Sequence, residues 1–491
     1  MSPSLDYARE TNITAGPTFW EPTTCNHSNR SILFSRVEKS LRRDEKLAWL
    51  AKIGNPSQMK WETLKPDERD SWLSVEHAAA FNSFVRLCNR DYKGLASSNS
   101  SSIFRGFSNG LKSNRDQVVY DFDLDILMSR VKTFIEDYNA EVDRYSRSGI
   151  GENIDEFVRY DKIKWSETLK ANVERGRSAK FSSMAIRSSL FRPFCKSWVY
   201  FDPMLVERRY HLPDYFPVRA GPNKAIIVSD IGFRTDLPSV LISDSVMDIH
   251  VCASIDAHQC FPFYVYDEDG SNRRENITDW ALDQFRTHYG DTKIGKWDIF
   301  YYVYGLLHHP GYRTKFADNL KRELPRIPLA PEISAAYPDG RGSSIKNEPR
   351  PAGSGFWAFA DAGRKLATLH LDYEKLEPWD LRFIETEGIP LLYRVDDKMR
   401  LSKDKTSLKV NASLTLAGIP PEVFEYRLGN RSALDWVIDQ YQVTQDKRSG
   451  IRSDPNRAED PEYIVRLVGQ VIRVSVETVK IVNGLPERYT E

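Results

Sequence analysis

The feature that most constrains this chain is the brevity of its β-type runs. Ala225-Ile-Ile-Val228 is four residues long, Phe261-Pro-Phe-Tyr-Val-Tyr266 contains a proline, and residues 186–202 and 222–266 are cut repeatedly by Pro and Gly. Proline cannot donate to a strand ladder, and glycine marks a bend or bulge, so such runs build small sheets. Between them lie helix-type segments. These are predicted at about Leu124–Tyr145, Trp297–His308, Pro310 to Leu324 with Pro325 and Pro328 as stops, Phe356–Tyr373, 420–441 and Pro461–Asn483. A strand over Ser31–Val37 precedes a charged helix reaching Leu50, with Leu41, Leu47 and Leu50 on one face. Gln117–Asp123 alternates like a strand, and further β-type segments lie between Leu391 and Leu416. No internal repeat is present. The pattern predicts an α+β fold of two or three subdomains, with short β-sheets and a helical C-terminal part.

Composition supports real cores: 41% of the 491 residues are hydrophobic and 12% aromatic, which excludes global disorder. The first 30 residues read as disordered or extended, Asp91–Ser102 as a loop, and 331–355, rich in Pro, Gly and Ser, as a linker or long loop. No apolar run approaches the ~20 residues of a membrane helix, and no signal peptide is evident in Met1–Thr24. The five cysteines, Cys25, Cys88, Cys195, Cys252 and Cys260, are odd in number and scattered. That suits a reducing compartment, so the expected location is the cytoplasm, with no membrane partner.

Lys and Arg number 69, as do Asp and Glu. The neutrality is a cancellation. Residues 159–234 hold 15 basic and 7 acidic side chains, an excess of +8, and the remainder carries −8. A basic lobe attracts phosphate backbones, anionic membranes or acidic proteins. Charge alone leaves a solvated surface without a partner as the alternative.

Catalytic motifs are missing. Gly290-Asp-Thr-Lys-Ile-Gly295-Lys296-Trp297 has the glycines and lysine of a phosphate loop. Trp297, however, stands where a hydroxyl must bind Mg²⁺, and no strand precedes the loop. Ala352-Gly-Ser-Gly-Phe356 is half of a dinucleotide pattern. Gly54-Asn55-Pro56-Ser57 lacks the second proline and the aromatic with which adenine methyltransferases hold a flipped base. His250, Cys252, His258 and Cys260 match no common zinc spacing and read as buried side chains near a strand edge. His308-His309 reads as helix capping.

Two segments suit nucleic acid better. Gly110-Leu-Lys-Ser-Asn-Arg-Asp116 is a glycine-turned loop whose Lys112, Asn114 and Arg115 carry donors for phosphates and base edges. In Arg187–Tyr200, the cations Arg187, Arg192 and Lys196 interleave with Phe191, Phe194, Trp198 and Tyr200, a pattern suited to backbone tracking and stacking. A core strand with flanking cations explains the second segment equally well.

The same residues carry a family resemblance. Gly110-Leu-Lys-Ser-Asn-Arg-Asp-Gln-Val-Val-Tyr-Asp-Phe122 resembles the G-[VI]-x-T-N-R-D-x-W-V-Y-N-F element of type ISP restriction-modification enzymes, which fuse a nuclease, a helicase-type ATPase, an adenine methyltransferase and a target recognition domain. Phe191–Tyr200 is similar to that family's Y-R-P-F-x-K-x-x-x-Y stretch. Asp298–Arg313 with Leu324–Pro328, and Gly429–Tyr441 with Asp446–Ile451 and Asp454–Arg457, resemble later blocks in the family's order. Ser113, Val118, Asp121 and Phe191 replace the family's Thr, Trp, Asn and Tyr.

The resemblance spans about residues 31–484. It implies a remnant of the methyltransferase end at 31–90, a first recognition part at 91–330 and a C-terminal specificity part at 356–491. The implied function is sequence-specific recognition of double-stranded DNA. Lys112, Asn114 and Arg115 would lie nearest the bases, Arg187, Arg192 and Lys196 on phosphates, and Trp198 beside them. No catalytic residue and no metal site are expected. S-adenosylmethionine, ATP and Mg are expected only on family domains that would precede residue 31. A separate methyltransferase/helicase-nuclease chain is thus an expected partner, and a truncated gene remnant the other origin. The alternative functions are a divergent or truncated adenine methyltransferase and a protein-interaction remnant packing on a methyltransferase core.

Overall fold

The computed structural model describes residues 32–35, 41, 43–64, 76–89, 101–148, 153–219, 221–253, 255–331 and 355–490. The N-terminal 30 residues, the loop up to Ser100 and the interior of the 331–355 segment lie outside the described residues. The chain divides into two compact units, Met1–Ala78 and Ala79–Glu491. In the first, β1 (Ile32–Phe34) is followed by α1 (Arg43–Ile53), and β2 (Glu62–Leu64) pairs back on β1 with Ile32 opposite Leu64. Asp44 and Glu45 start α1 and Lys52 ends it, matching the helix dipole. Leu47 is 54% exposed, so the expected leucine face is not buried as a stripe.

In the second unit, after the short helix Ala78–Ser83 and a two-residue strand at Val85–Arg86, come β3 (Ser108–Asn109), β4 (Tyr120–Asp121) and α2 (Leu124–Ser148). Leu127, Val131, Phe134, Ile135, Tyr138 and Val142 recur at helical spacing on the buried face of α2. A hairpin of β5 (Ile186–Arg192) and β6 (Cys195–Tyr200) follows, then β7 (Ala225–Ser229), β8 (Val240–Ser243), β9 (Val246–Met247) and β10 (His258–Pro262). They form two four-stranded sheets, ordered β9-β5-β6-β4 and β3-β10-β7-β8. Next come α3 (Asp279–Tyr289), α4 (Lys296–Leu307) and α5 (Gly355–Leu371). A third sheet, ordered β11-β14-β13-β12, joins β11 (Arg382–Glu385), β12 (Arg400–Leu401), β13 (Ser407–Lys409) and β14 (Leu414–Ala417). The described chain closes with α6 (Ala433–Gln440) and α7 (Tyr463–Asn483). The mixed α+β expectation with short sheets holds, and no helix among the described residues is long and apolar enough to cross a membrane.

The helix pair α4–α5 sets the packing. A Cβ on Gly305 would lie 2.3 Å from the Phe359 carbonyl oxygen, and one on Gly363 would lie 1.8 Å from that of Tyr301. The two backbones touch, and no side chain fits between them. One core joins residues from 111–265 to residues from 369–474, so both sides of the 331–355 segment share it.

Local expectations failed in three places. Gln117–Asp123 is not one strand, because Asp116–Val119 form a helical turn before β4. Residues 420–441 are not one helix: Gly429 adopts a left-handed φ of 68°, and the helix begins only at Ala433. There the Ser432 hydroxyl accepts from Asp435 N and the Asp435 carboxylate accepts from Ser432 N, a reciprocal cap. Pro310–Leu324 is two short helices, Pro310–Lys315 and Ala317–Leu320. The phosphate-loop look-alike is a helix connection. Gly290 ends α3, the Asp298 carboxylate caps Gly295 N at 2.9 Å, and Lys296 pairs with Glu275 and Asp279. His308 Nδ1 meets the Tyr304 carbonyl at 2.8 Å and His309 Nδ1 accepts from Tyr312 N, both of them capping contacts.

Candidate nucleic-acid interface

The loop Gly110–Val118 is held from both sides. A Cβ on Gly110 would lie 2.6 Å from the Asp248 carbonyl oxygen, so only glycine permits this approach. Leu111 is buried and bonds with Met247 and Ile249, while Lys112 exchanges two backbone hydrogen bonds with Arg208. Asn114 adopts φ 58°, a left-handed conformation that asparagine tolerates, and its side chain is exposed. Ser113 Oγ bonds the Asp116 carboxylate and accepts from Arg115 N. Arg115 is buried. Its guanidinium donates to the Leu205 carbonyl and to Ser166 Oγ, and burial lowers its pKa to about 10 against the pull of Glu207. Within one heptapeptide, therefore, Lys112 and Asn114 are presented and Arg115 fastens the loop.

The presented side chains face a cleft of about 1220 Å³, walled also by α2, the 160–167 segment, Asp248–His250 and the 446–451 turn. Arg130 of α2 donates to the carbonyls of Gln117 and Tyr120 and pairs with Asp121, pinning the loop to the helix. In Lys162-Ile-Lys-Trp165, Ile163 and Trp165 are buried and the two lysines point outward. Lys162 pairs with Asp137 at 2.9 Å, whereas Lys164 has no ion pair among the described residues. The 446–451 turn is tied to the loop by Gln117 Nε2 donating to Asp446 at 2.7 Å. Hydrogen bonds from Ser449, then Gln117, pull the Asp446 pKa down to about 2. Arg448 is exposed on this turn. Among the described residues, the cleft cations without a carboxylate partner include Lys112, Lys164 and Arg448. Lys164 lies inside the basic stretch and Arg448 inside a quoted family block, but nothing local marks either as a cleft residue.

The β5–β6 hairpin is arranged differently. None of its predicted residues lines the cleft. Arg192 pairs with buried Asp248 at 2.7 Å and lies 4.0 Å over the Phe191 ring. Burial raises the Asp248 pKa against Arg192, and Asp248 itself belongs to the cleft wall. Lys196 donates to Glu374 at 2.5 Å and sits over Tyr373. Arg187 is half-buried, has no ion pair among the described residues, and burial lowers its pKa. It opposes Val199, while Trp198 opposes Ser188, so Arg187 and Trp198 occupy opposite faces of the sheet. Trp198 is 37% exposed. The Cys/His pattern builds no cluster: Cys252, His258 and Cys260 are buried, and His250 and His258 meet the carbonyls of Asp256 and Ile249.

A family model described as the Type ISP C-terminal specificity domain matches residues 102–467. Similar solved structures include a nuclease-deletion mutant of the Type ISP restriction-modification enzyme LlaGI in complex with a DNA substrate mimic. It is 31% identical with a TM-score of 0.77, over 95% of this chain and 40% of that one. A DrdV–DNA complex matches at 31% identity and TM-score 0.77, over 94% of this chain and 44% of that one. The ATP-dependent Type ISP restriction-modification enzyme LlaBIII bound to DNA matches at 26% and 0.74, over 91% and 28%. The chain thus spans less than half the length of these relatives. No curated protein matches it.

Proposed function

Because this chain belongs to the type ISP C-terminal specificity-domain family, we propose that it recognises double-stranded DNA sequence-specifically as the specificity part of a type ISP restriction-modification enzyme. The observation that carries this reading is the family match over residues 102–467, together with likeness to structures that hold DNA. The cleft supplies the chemistry. Lys112, Lys164 and Arg448 offer charge to phosphates, and Asn114 offers an amide that can both donate to and accept from a base edge. Arg115 and Arg130 position the loop. Arg187 and Trp198 are the hairpin residues free to meet DNA directly, and Arg192 acts through Asp248 on the cleft wall. Lys196 would have to exchange Glu374 for a phosphate. The reading places S-adenosylmethionine, ATP and Mg on other parts of such enzymes.

Fluorescence anisotropy on a panel of duplexes, repeated across a salt series, tests it. Affinity should depend on sequence and fall with salt by about 0.9 log units per log unit for each phosphate contact. The triple variant K112Q/K164Q/R448Q should flatten that slope by roughly 2–3, and N114A should narrow the gap between best and worst duplexes. Binding to no duplex at 50 mM salt, or salt-independent binding, would overturn the proposal.

A further inference from the structure

The turn that walls the cleft with Asp248–His250 also lines a second pocket, of about 550 Å³, with Ala253, Ile255 and Asp256. Four arginines from three segments converge there: Arg234, Arg313, and Arg427 and Arg431 on the paired strands of one short hairpin. Two are neutralised within the protein. Arg234 pairs with Asp256 at 3.6 Å, and Arg431 pairs with Asp439 at 2.6 Å while lying over Trp436.

The other two are not. Arg313 donates one Nη to the Pro238 carbonyl at 2.5 Å, and its Nε is closed off from solvent without any hydrogen-bond partner. Arg427 donates to the Asn430 carbonyl. Neither has an ion pair among the described residues. Asp236 and Glu425 also line the pocket, exposed, and pair with neither arginine. A guanidinium withdrawn from water with only carbonyl partners is costly, and burial pulls the Arg313 pKa down to about 10. An anion in the pocket removes that cost, and arginine's planar fork suits tetrahedral oxyanions.

We propose that this pocket binds a phosphoryl anion, with Arg313 and Arg427 as its donors. Its source is either a phosphodiester of a duplex lying in the cleft or a free phosphate-bearing small molecule. The first rests on the DNA reading above, and the shared turn favours it. His250 and Ala253 are three residues apart, at most about 11 Å of chain, which corresponds to about three nucleotides of one strand at ~3.4 Å each.

Two measurements on the full chain decide it: duplex affinity across a salt series, and melting temperature in inorganic phosphate against chloride at matched ionic strength. R427Q and R313Q are compared with wild type. If the ligand is a DNA phosphodiester, R427Q should weaken duplex binding about tenfold and reduce the salt slope by about 0.9. If it is a free phosphoryl group, phosphate should raise the melting temperature of wild type but not of R427Q, with duplex affinity unchanged. Variants that match wild type in both measurements overturn the inference, while leaving the cleft reading intact. Should wild type bind no duplex, the phosphate measurement still decides. R427Q alone suffices if R313Q does not fold.

Discussion

Lys112 and Arg115 are three residues apart in one basic loop, yet they do opposite work. Arg115 is sunk against the Leu205 carbonyl and Ser166, partners 90 and 51 residues away in sequence. R115A would strip this donor from the buried Leu205 carbonyl and from the half-buried Ser166 hydroxyl, although Ser166 keeps Leu169 N, and should cost about 2–3 kcal/mol in urea unfolding. K112A removes a half-buried side chain with no ion pair among the described residues. It should stay within about 0.5 kcal/mol of wild type while flattening the salt dependence of DNA binding. Finding the stability losses reversed would remove the distinction. No reading of Lys-Ser-Asn-Arg as local sequence could make it, because the burying groups come from elsewhere.

Among the elements, the apolar helices were the most legible. The segments predicted at Leu124–Tyr145, Trp297–His308, Phe356–Tyr373 and Pro461–Asn483 correspond closely to α2, α4, α5 and α7. Their periodicity is a local property and survives folding. The contact between α4 and α5 was not legible, since Gly305 and Gly363 are 58 positions apart and each alone reads as a weak point in a helix. G363A should destabilise by 1–3 kcal/mol or more, as overpacking does, although alanine is the better helix former. Unchanged urea stability would mean the two helices separate without penalty. Residues 420–441 misled because helix propensity there is overridden by one left-handed glycine and a reciprocal cap.

For the whole molecule, the acid response follows from neutral buried imidazoles. Burial lowers the His258 pKa to about 4 and the His308 pKa to about 3, and takes His370 well below its usual value. His370 bonds Tyr304 and Thr478 with its two ring nitrogens. The unfolded chain, with imidazoles near 6.5, binds more protons than the folded chain between about pH 6.5 and 4. Stability is therefore intact above pH 6.5 and falls on acidification through that window, by roughly 1 kcal/mol per pH unit for each histidine. The melting temperature should drop steadily between pH 7 and 5. A flat profile would mean that these rings take up protons without unfolding the core.

The sequence by itself determined the class of fold, most of the long helices, the basic lobe beneath a neutral total and the type ISP resemblance, because periodicity, composition and motif order are local or additive. Tertiary structure alone decided which cations are left without a carboxylate partner among the described residues. Arg192 finds Asp248, 56 residues away, and Lys196 finds Glu374, 178 residues away. Lys112, Lys164 and Arg448 meet in one cleft from three distant segments. A charge's availability depends on what the fold sets against it. Close-range electrostatics and desolvation act through space, and neither can be read along the chain.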